Sequence, residues 1–235
     1  MDFLNSNEGY EENIRQYNKK DGGFAILLYT IFLLMYAFVA VLSNQFEIVN
    51  KYMMEVGCIL NVFLVCVTIL LIKGKKQKLN SIGLMGGSWK KSCIIGVIIA
   101  AVLFFNNAGL HLIQGESFVE TKKMILLIAY YLSVAVCEEI VFRGYIGTRL
   151  RSFLPNKWVA MVVVGFLFVL MHFPYRMIAY GMTLEELTIN NLFWLIDLFI
   201  THMVLTFIYM KTNSLYGAII PHWMSNLAYN LIVRQ

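Results

Sequence analysis

Uncharged apolar stretches long enough to cross a bilayer recur from Phe24 to Val233, and the one beginning at Met124 runs through Cys137 straight into Glu138, Glu139 and Arg143. Nothing else in the chain constrains the fold as much. A hydrocarbon core about 30 Å thick offers the backbone no water, so a chain that crosses it with runs of about 20 apolar residues must satisfy its peptide groups within helices. The composition agrees: of 235 residues 59% are apolar and 14% charged, and the mean hydropathy is +0.68. Such a chain is neither a soluble domain nor a disordered one. Its net charge of +5 is concentrated in particular loops, as in cytoplasmic loops of membrane proteins, and does not suggest nucleic-acid binding. Cys58, Cys66, Cys93 and Cys137 lie in or against apolar spans without metal-ligand spacing and read as small buried hydrophobes.

The expected architecture is an all-α, polytopic transmembrane helix bundle of about seven spans with its site in the membrane interior. Residues 1–22 read as a polar N-terminal arm, loosely ordered or interfacial, and 23–235 as a single membrane-embedded helical domain. No early run has the short core and cleavage site of a secretory signal, so the N-terminus is expected to be retained. The first three spans fall at 24–42, 52–72 and 93–112. Between the second and third lie Lys73, Lys75, Lys76, Lys78, Lys90 and Lys91 with no acid among them, which marks that loop as cytoplasmic. The glutamate-bearing span comes next, then a basic segment with Arg149, Arg151 and Lys157. The fifth span starts near Trp158 and should stop near Phe173, because the residue before Pro174 disfavours helix. That leaves it short, and 174–190 is expected to dip back or lie at the interface. The last two spans fall at 191–210 and 215–233, with Asn213 and Ser214 as N-cap types before the seventh. Alternation then puts the N-terminus and the loops 73–91, 149–157 and 211–214 in the cytoplasm and the C-terminus outside.

An ionised carboxylate at the bilayer centre costs about 2.5–3.5 kcal/mol on insertion scales, so intramembrane glutamates are functional candidates once partners are found. Glu139 and Arg143 are one helical turn apart, acid before base, and can neutralise each other. Glu138 lies about 100° round the helix with no basic residue one turn away in either direction, so its partner must come from another helix. Candidates stand on two later spans: Phe168 and His172 share one helix face, as do His222 and Asn226. Together with Glu138 they form a set suited to peptide hydrolysis: a carboxylate base, an imidazole to hold water, and a second imidazole with a carboxamide donor. Pro221 removes one backbone bond directly before His222, and Gly217, four residues earlier, tolerates the distortion. Asn106, Asn107 and His111 in the third span read as interhelical or interfacial contacts, and Asp197 and His202 in the sixth as supporting groups. The three groups can meet only if the glutamate helix continues past Arg143. A helix of about thirty residues, from near Lys122 to near Arg151, sets Glu138 about 18 Å from its cytoplasmic end.

The segments Glu138-Glu139-Ile140-Val141-Phe142-Arg143, Phe168 to His172 and His222 to Asn226 resemble the EExxxR, FxxxH and HxxxN motifs of the CPBP intramembrane endopeptidases, in the family's order. That family includes the type II CAAX prenyl endopeptidases and bacterial bacteriocin-processing or self-immunity proteins. The resemblance spans roughly residues 124–233. It implies that Glu138 and His172 activate the attacking water, that His222 and Asn226 stabilise the oxyanion, and that Glu139 with Arg143 positions the helix, with Phe168 in support. The zincin HExxH pattern is absent. Glu138, His172 and His222 suit either a catalytic zinc with an open fourth position or a metal-free, glutamate-activated water.

The expected activity is hydrolysis of a peptide bond in a hydrophobic peptide or membrane protein, by a protein resident in the lipid bilayer; the short chain suggests a bacterial cell membrane. The alternative is a non-catalytic immunity or signalling protein of the same fold that binds a peptide or partner. A transporter reading is disfavoured by the lack of an internal repeat.

Overall fold

The computed structural model describes residues 5–84, 86–154 and 156–233, so the first four residues of the polar arm lie outside it. Its framework is helical throughout: α1 (Glu8–Arg15), α2 (Lys19–Gln45), α3 (Met53–Gly74), α4 (Trp89–Ile113), α5 (Thr121–Leu150), α6 (Lys157–Leu170), α7 (Phe173–Ala179), α8 (Leu192–Thr212) and α9 (Tyr216–Asn230). Among the described residues six apolar stretches, α2, α3, α4, α5, α6 with α7, and α8, are long and apolar enough to cross a membrane. The polarity is inside-out relative to a soluble protein. Phe193 is 88% exposed and Ile59 69%, whereas Glu139 and His202 are fully enclosed. Apolar surface facing outward is what lipid requires.

The seventh expected span, α9, is a helix of 15 residues, shorter than the six others. At 1.5 Å per residue it is about 22 Å long. Its two ends nevertheless reach opposite ends of the bundle. The Leu215 amide at its start donates to the Gly83 carbonyl of the lysine-rich loop (3.1 Å), while past its finish the Val119 amide donates to the Leu231 carbonyl and the Val233 amide to the Ser117 carbonyl, 2.8 and 2.9 Å.

The polar segments gather in two groups. At one end Asn7 N–H donates to Met210 O (2.8 Å), Asn13 to Asn80 O (3.2 Å), Tyr17 Oη to Ser81 O (3.0 Å), Ser152 to Asn18 O (3.0 Å), and Lys75 faces Asp21 at 4.0 Å. The three loops and the arm expected on one side thus meet. The arm is not loose: Asn7 caps α1, and Tyr10, Ile14 and Tyr17 are buried against the bundle. Sequence polarity hid this because only one face of α1 is apolar. The arm also ends earlier than expected, since Asn18 and Asp21 form a capping box that starts α2 at Lys19.

Two further expectations need adjustment. The fifth span stops at Leu170, but Pro174 then falls in the first turn of α7, where no intrahelical donor is lost, so helix resumes at once. Asn213 is not the N-cap of α9. It closes α8 in the left-handed conformation, φ 50°, which asparagine tolerates. The cap of α9 comes instead from another helix: Ser92 Oγ accepts the Gly217 N–H at 2.8 Å. Ser92, Gly96 and Ala100 form a buried small-residue stripe on α4. A Cβ at Gly96 would stand 3.1 Å from Gly217 Cα, and one at Gly217 2.7 Å from Ser92 Oγ, so the backbones of α4 and α9 approach as small-residue membrane interfaces do. This contact carries His222 into the bundle.

Candidate active site

α5 is one continuous 30-residue helix, with boundaries one residue from those expected, and within it Glu139–Gly147 adopts the wider π form. Such segments are rare and concentrate at functional sites. Two glycines help: a Cβ at Gly147 would lie 3.0 Å from Phe142 O, and one at Gly144 3.1 Å from Ile82 Cβ. The π segment is enclosed, and both glutamates at its start are buried.

Arg143 Nη1 donates to Glu139 Oε1, which is the pairing read from the sequence. Its other nitrogen, Nη2, donates to the His202 carbonyl of α8 at 3.3 Å. The same Glu139 oxygen accepts from His222 Nδ1 at 2.6 Å. A carboxylate can only accept when ionised, so this bond assigns the proton to Nδ1 and turns Nε2 outward. His222 Nε2 lies 3.6 Å from Glu138 Oε2. The partner that Glu138 lacks on its own helix is therefore His222, on α9.

His172 is held differently. Its Nδ1 donates to Phe168 O at 2.9 Å, leaving Nε2 as the acceptor, and its ring stands edge-on to Trp194 at 5.5 Å. Phe168 ties the imidazoles together, 5.3 Å from His172, 5.2 Å from His202 and 6.3 Å from His222 between ring centroids. Asn226 is one turn beyond His222 and half-buried; among the described residues no hydrogen bond joins its carboxamide to the glutamates. The structure thus joins Glu138, Glu139, Arg143 and His222 directly and sets Phe168 and His172 beside them, with Asn226 a turn away.

A zinc site needs donors converging on one point at about 2.0–2.2 Å. Glu138 and His222 are close enough to share an ion, but among the described residues no group of three His, Cys, Asp or Glu side chains gathers at ligand distance. His172 does not join the other two, so the proposed set of three ligands is not assembled.

Two participants escaped sequence reading. The carbonyl of His202 receives Arg143, and nothing in a sequence marks a backbone acceptor. Arg149 looked like a loop charge yet is fully buried, donating to Gly144 O (2.9 Å) and Gln77 Oε1 (2.6 Å) between the rings of Tyr17 and Tyr145. Its place one turn after Tyr145 was the available signal.

The fold and these contacts define a class: an integral membrane helix bundle enclosing a carboxylate–imidazole centre. Residues 120–228 match the model of the type II CAAX prenyl endopeptidase Rce1-like family. The matched stretch begins at the residue before α5 and ends within α9, taking in every side chain of the centre. Comparison with curated proteins and with solved structures gives no match.

Proposed function

We propose that this protein is an intramembrane endopeptidase that cleaves a hydrophobic or membrane-associated peptide or protein with water activated by Glu138. The observation that carries this reading is the division of labour between the adjacent glutamates. Glu139 is occupied by Arg143 and His222, whereas among the described residues the ion pair of Glu138 is with the other nitrogen of His222 and not with a guanidinium. A carboxylate buried without a guanidinium is the one suited to take a proton. Glu139, by fixing the His222 Nδ1 proton, orients that ring as a carboxylate orients a catalytic histidine. In this mechanism Glu138, with the acceptor Nε2 of His172 holding the water, deprotonates the water that attacks the scissile carbonyl and then hands that proton to the leaving amine as the C–N bond breaks. Asn226 and, once its Nε2 is also protonated, His222 stabilise the developing oxyanion; the half-buried Asn226 carboxamide, with no hydrogen bond to it among the described residues, suits a group whose partner arrives with the substrate. Phe168 keeps the imidazoles in place.

A comparison of peptides in membranes carrying wild type, Glu138→Ala, His172→Ala or His222→Ala tests the reading. The wild type should generate peptides that all three variants lose, with each variant still inserted and folded. If the variants keep the wild-type peptides and biological function, the protein is a binding or immunity protein of the same fold.

A further inference from the structure

A cavity of about 190 Å³ lies between α2, α3, α5 and the segment around α7. Its wall carries the rings of Tyr36, Tyr130, Tyr175 and Tyr180, with Met35, Leu60 and Leu64 completing the apolar part. Asn61 is a further polar group on the wall, and its amide is already spent on Ser133 Oγ at 3.1 Å. Among the described residues no charged side chain lines it. The cavity shares two helical segments with the candidate centre: Tyr130 precedes Glu138 by about two turns on α5, and Tyr175 follows His172 by three residues. Gly57 makes room for the wall itself, since a Cβ there would strike the Tyr130 ring at 2.7 Å.

We infer that this cavity is the specificity pocket of the proposed protease and takes one neutral, ring-bearing side chain next to the scissile bond. The inference rests on the proposed function. Size selects the occupant: an apolar cavity of roughly 150 Å³ holds a benzene ring, and whole drug-sized ligands need about 300 Å³ or more. At about 190 Å³ there is space for one phenylalanine or tyrosine side chain and not for a prenyl chain. Chemistry agrees with size. Tyrosine rings offer an aromatic guest edge-to-face contacts, and their hydroxyls, with Asn61, allow a phenol to be accepted without stranding its O–H. A charged guest would find no counter-charge on the described wall.

The test uses the full-length protein in lipid vesicles with a membrane-spanning model peptide bearing one diazirine-phenylalanine. Photolabelling should map to Tyr36, Leu60, Tyr130 or Tyr175, and be competed by the same peptide with Phe about ten- to a hundredfold better than with Ala, the range set by burying one ring. Leu60→Trp, which fills the cavity from its wall, should abolish the labelling, whereas Ile59→Trp on the lipid-facing side of α3 should not. Should Leu60→Trp misfold, Met35→Trp fills the same space from α2. Labelling elsewhere, or equal competition by Phe and Ala peptides, would overturn the pocket. The assay is run in the Glu138→Gln background as well as in wild type. Mapped labelling without any cleavage in wild type would sink the protease reading and leave the binding pocket standing.

Discussion

Glu139 has two donors on one carboxylate oxygen, Arg143 Nη1 and His222 Nδ1, in a place with no solvent to replace either. Removing one member of a buried charge pair leaves the other uncompensated, typically a loss of about 3–5 kcal/mol. Arg143→Ala should therefore lower thermal stability far more than Glu138→Ala, whose contact to His222 is the longer one, 3.6 Å. A melting series in which Glu138→Ala is the less stable variant would contradict this assignment. At this scale the sequence was informative about the local pair and silent about the distant one. The spacing of Glu139 and Arg143 is a helix property, readable from any helical stretch. That Glu138 meets His222 and not His172 depends on how deeply α9 enters the bundle and on the Phe168 carbonyl holding the His172 ring.

The element that decides this depth is the crossing of α4 and α9, where Ser92, Gly96 and Gly217 let two backbones touch. Ser92→Ala leaves the Gly217 amide without its acceptor, at a cost of about 1–3 kcal/mol for a buried donor. Gly217→Val inserts atoms where a single Cβ is already too close, adding about 1–3 kcal/mol of overpacking and moving His222 away from Glu138. Unfolding in detergent should rank wild type above Ser92→Ala above Gly217→Val, and equal stability of all three would mean that the crossing is loose. Helix lengths were legible because hydrophobic runs must match the membrane. The boundaries of α5, including its continuation past Arg143, follow from requiring distant polar groups to lie at one depth. Its π segment was not legible, since periodicity carries no mark of a changed hydrogen-bond register. Nor was the role of Asn213, whose residue type suits an N-cap and a left-handed helix end equally well.

Across the whole molecule, the arm, the lysine-rich loop, the segment after α5 and the turn between α8 and α9 meet at one end, while the strand-like contact of 117–119 with 231–233 lies at the other. We propose that the first end is cytoplasmic, in keeping with its lysines. In intact cells an impermeant thiol reagent should therefore label Glu185→Cys, in the segment between α7 and α8, and reach Lys78→Cys only after permeabilisation; the reverse pattern would invert the topology. The fold class was open to sequence reading because lipid allows so few solutions. Burial of Arg149 was not, because a charge at a span's end looks the same whether it faces water or the Tyr17 and Tyr145 rings. In the proposed reaction Glu138 activates a water inside this bundle to cut a peptide bond. The direct measurement reconstitutes purified wild type and Glu138→Gln in vesicles with membrane-derived peptides in ¹⁸O-labelled water, and reads new C-termini by mass spectrometry. New termini carrying a solvent oxygen are expected with wild type and none with the variant, at equal folding of both. Identical termini from both proteins, or none from a folded wild type, would contradict that reaction.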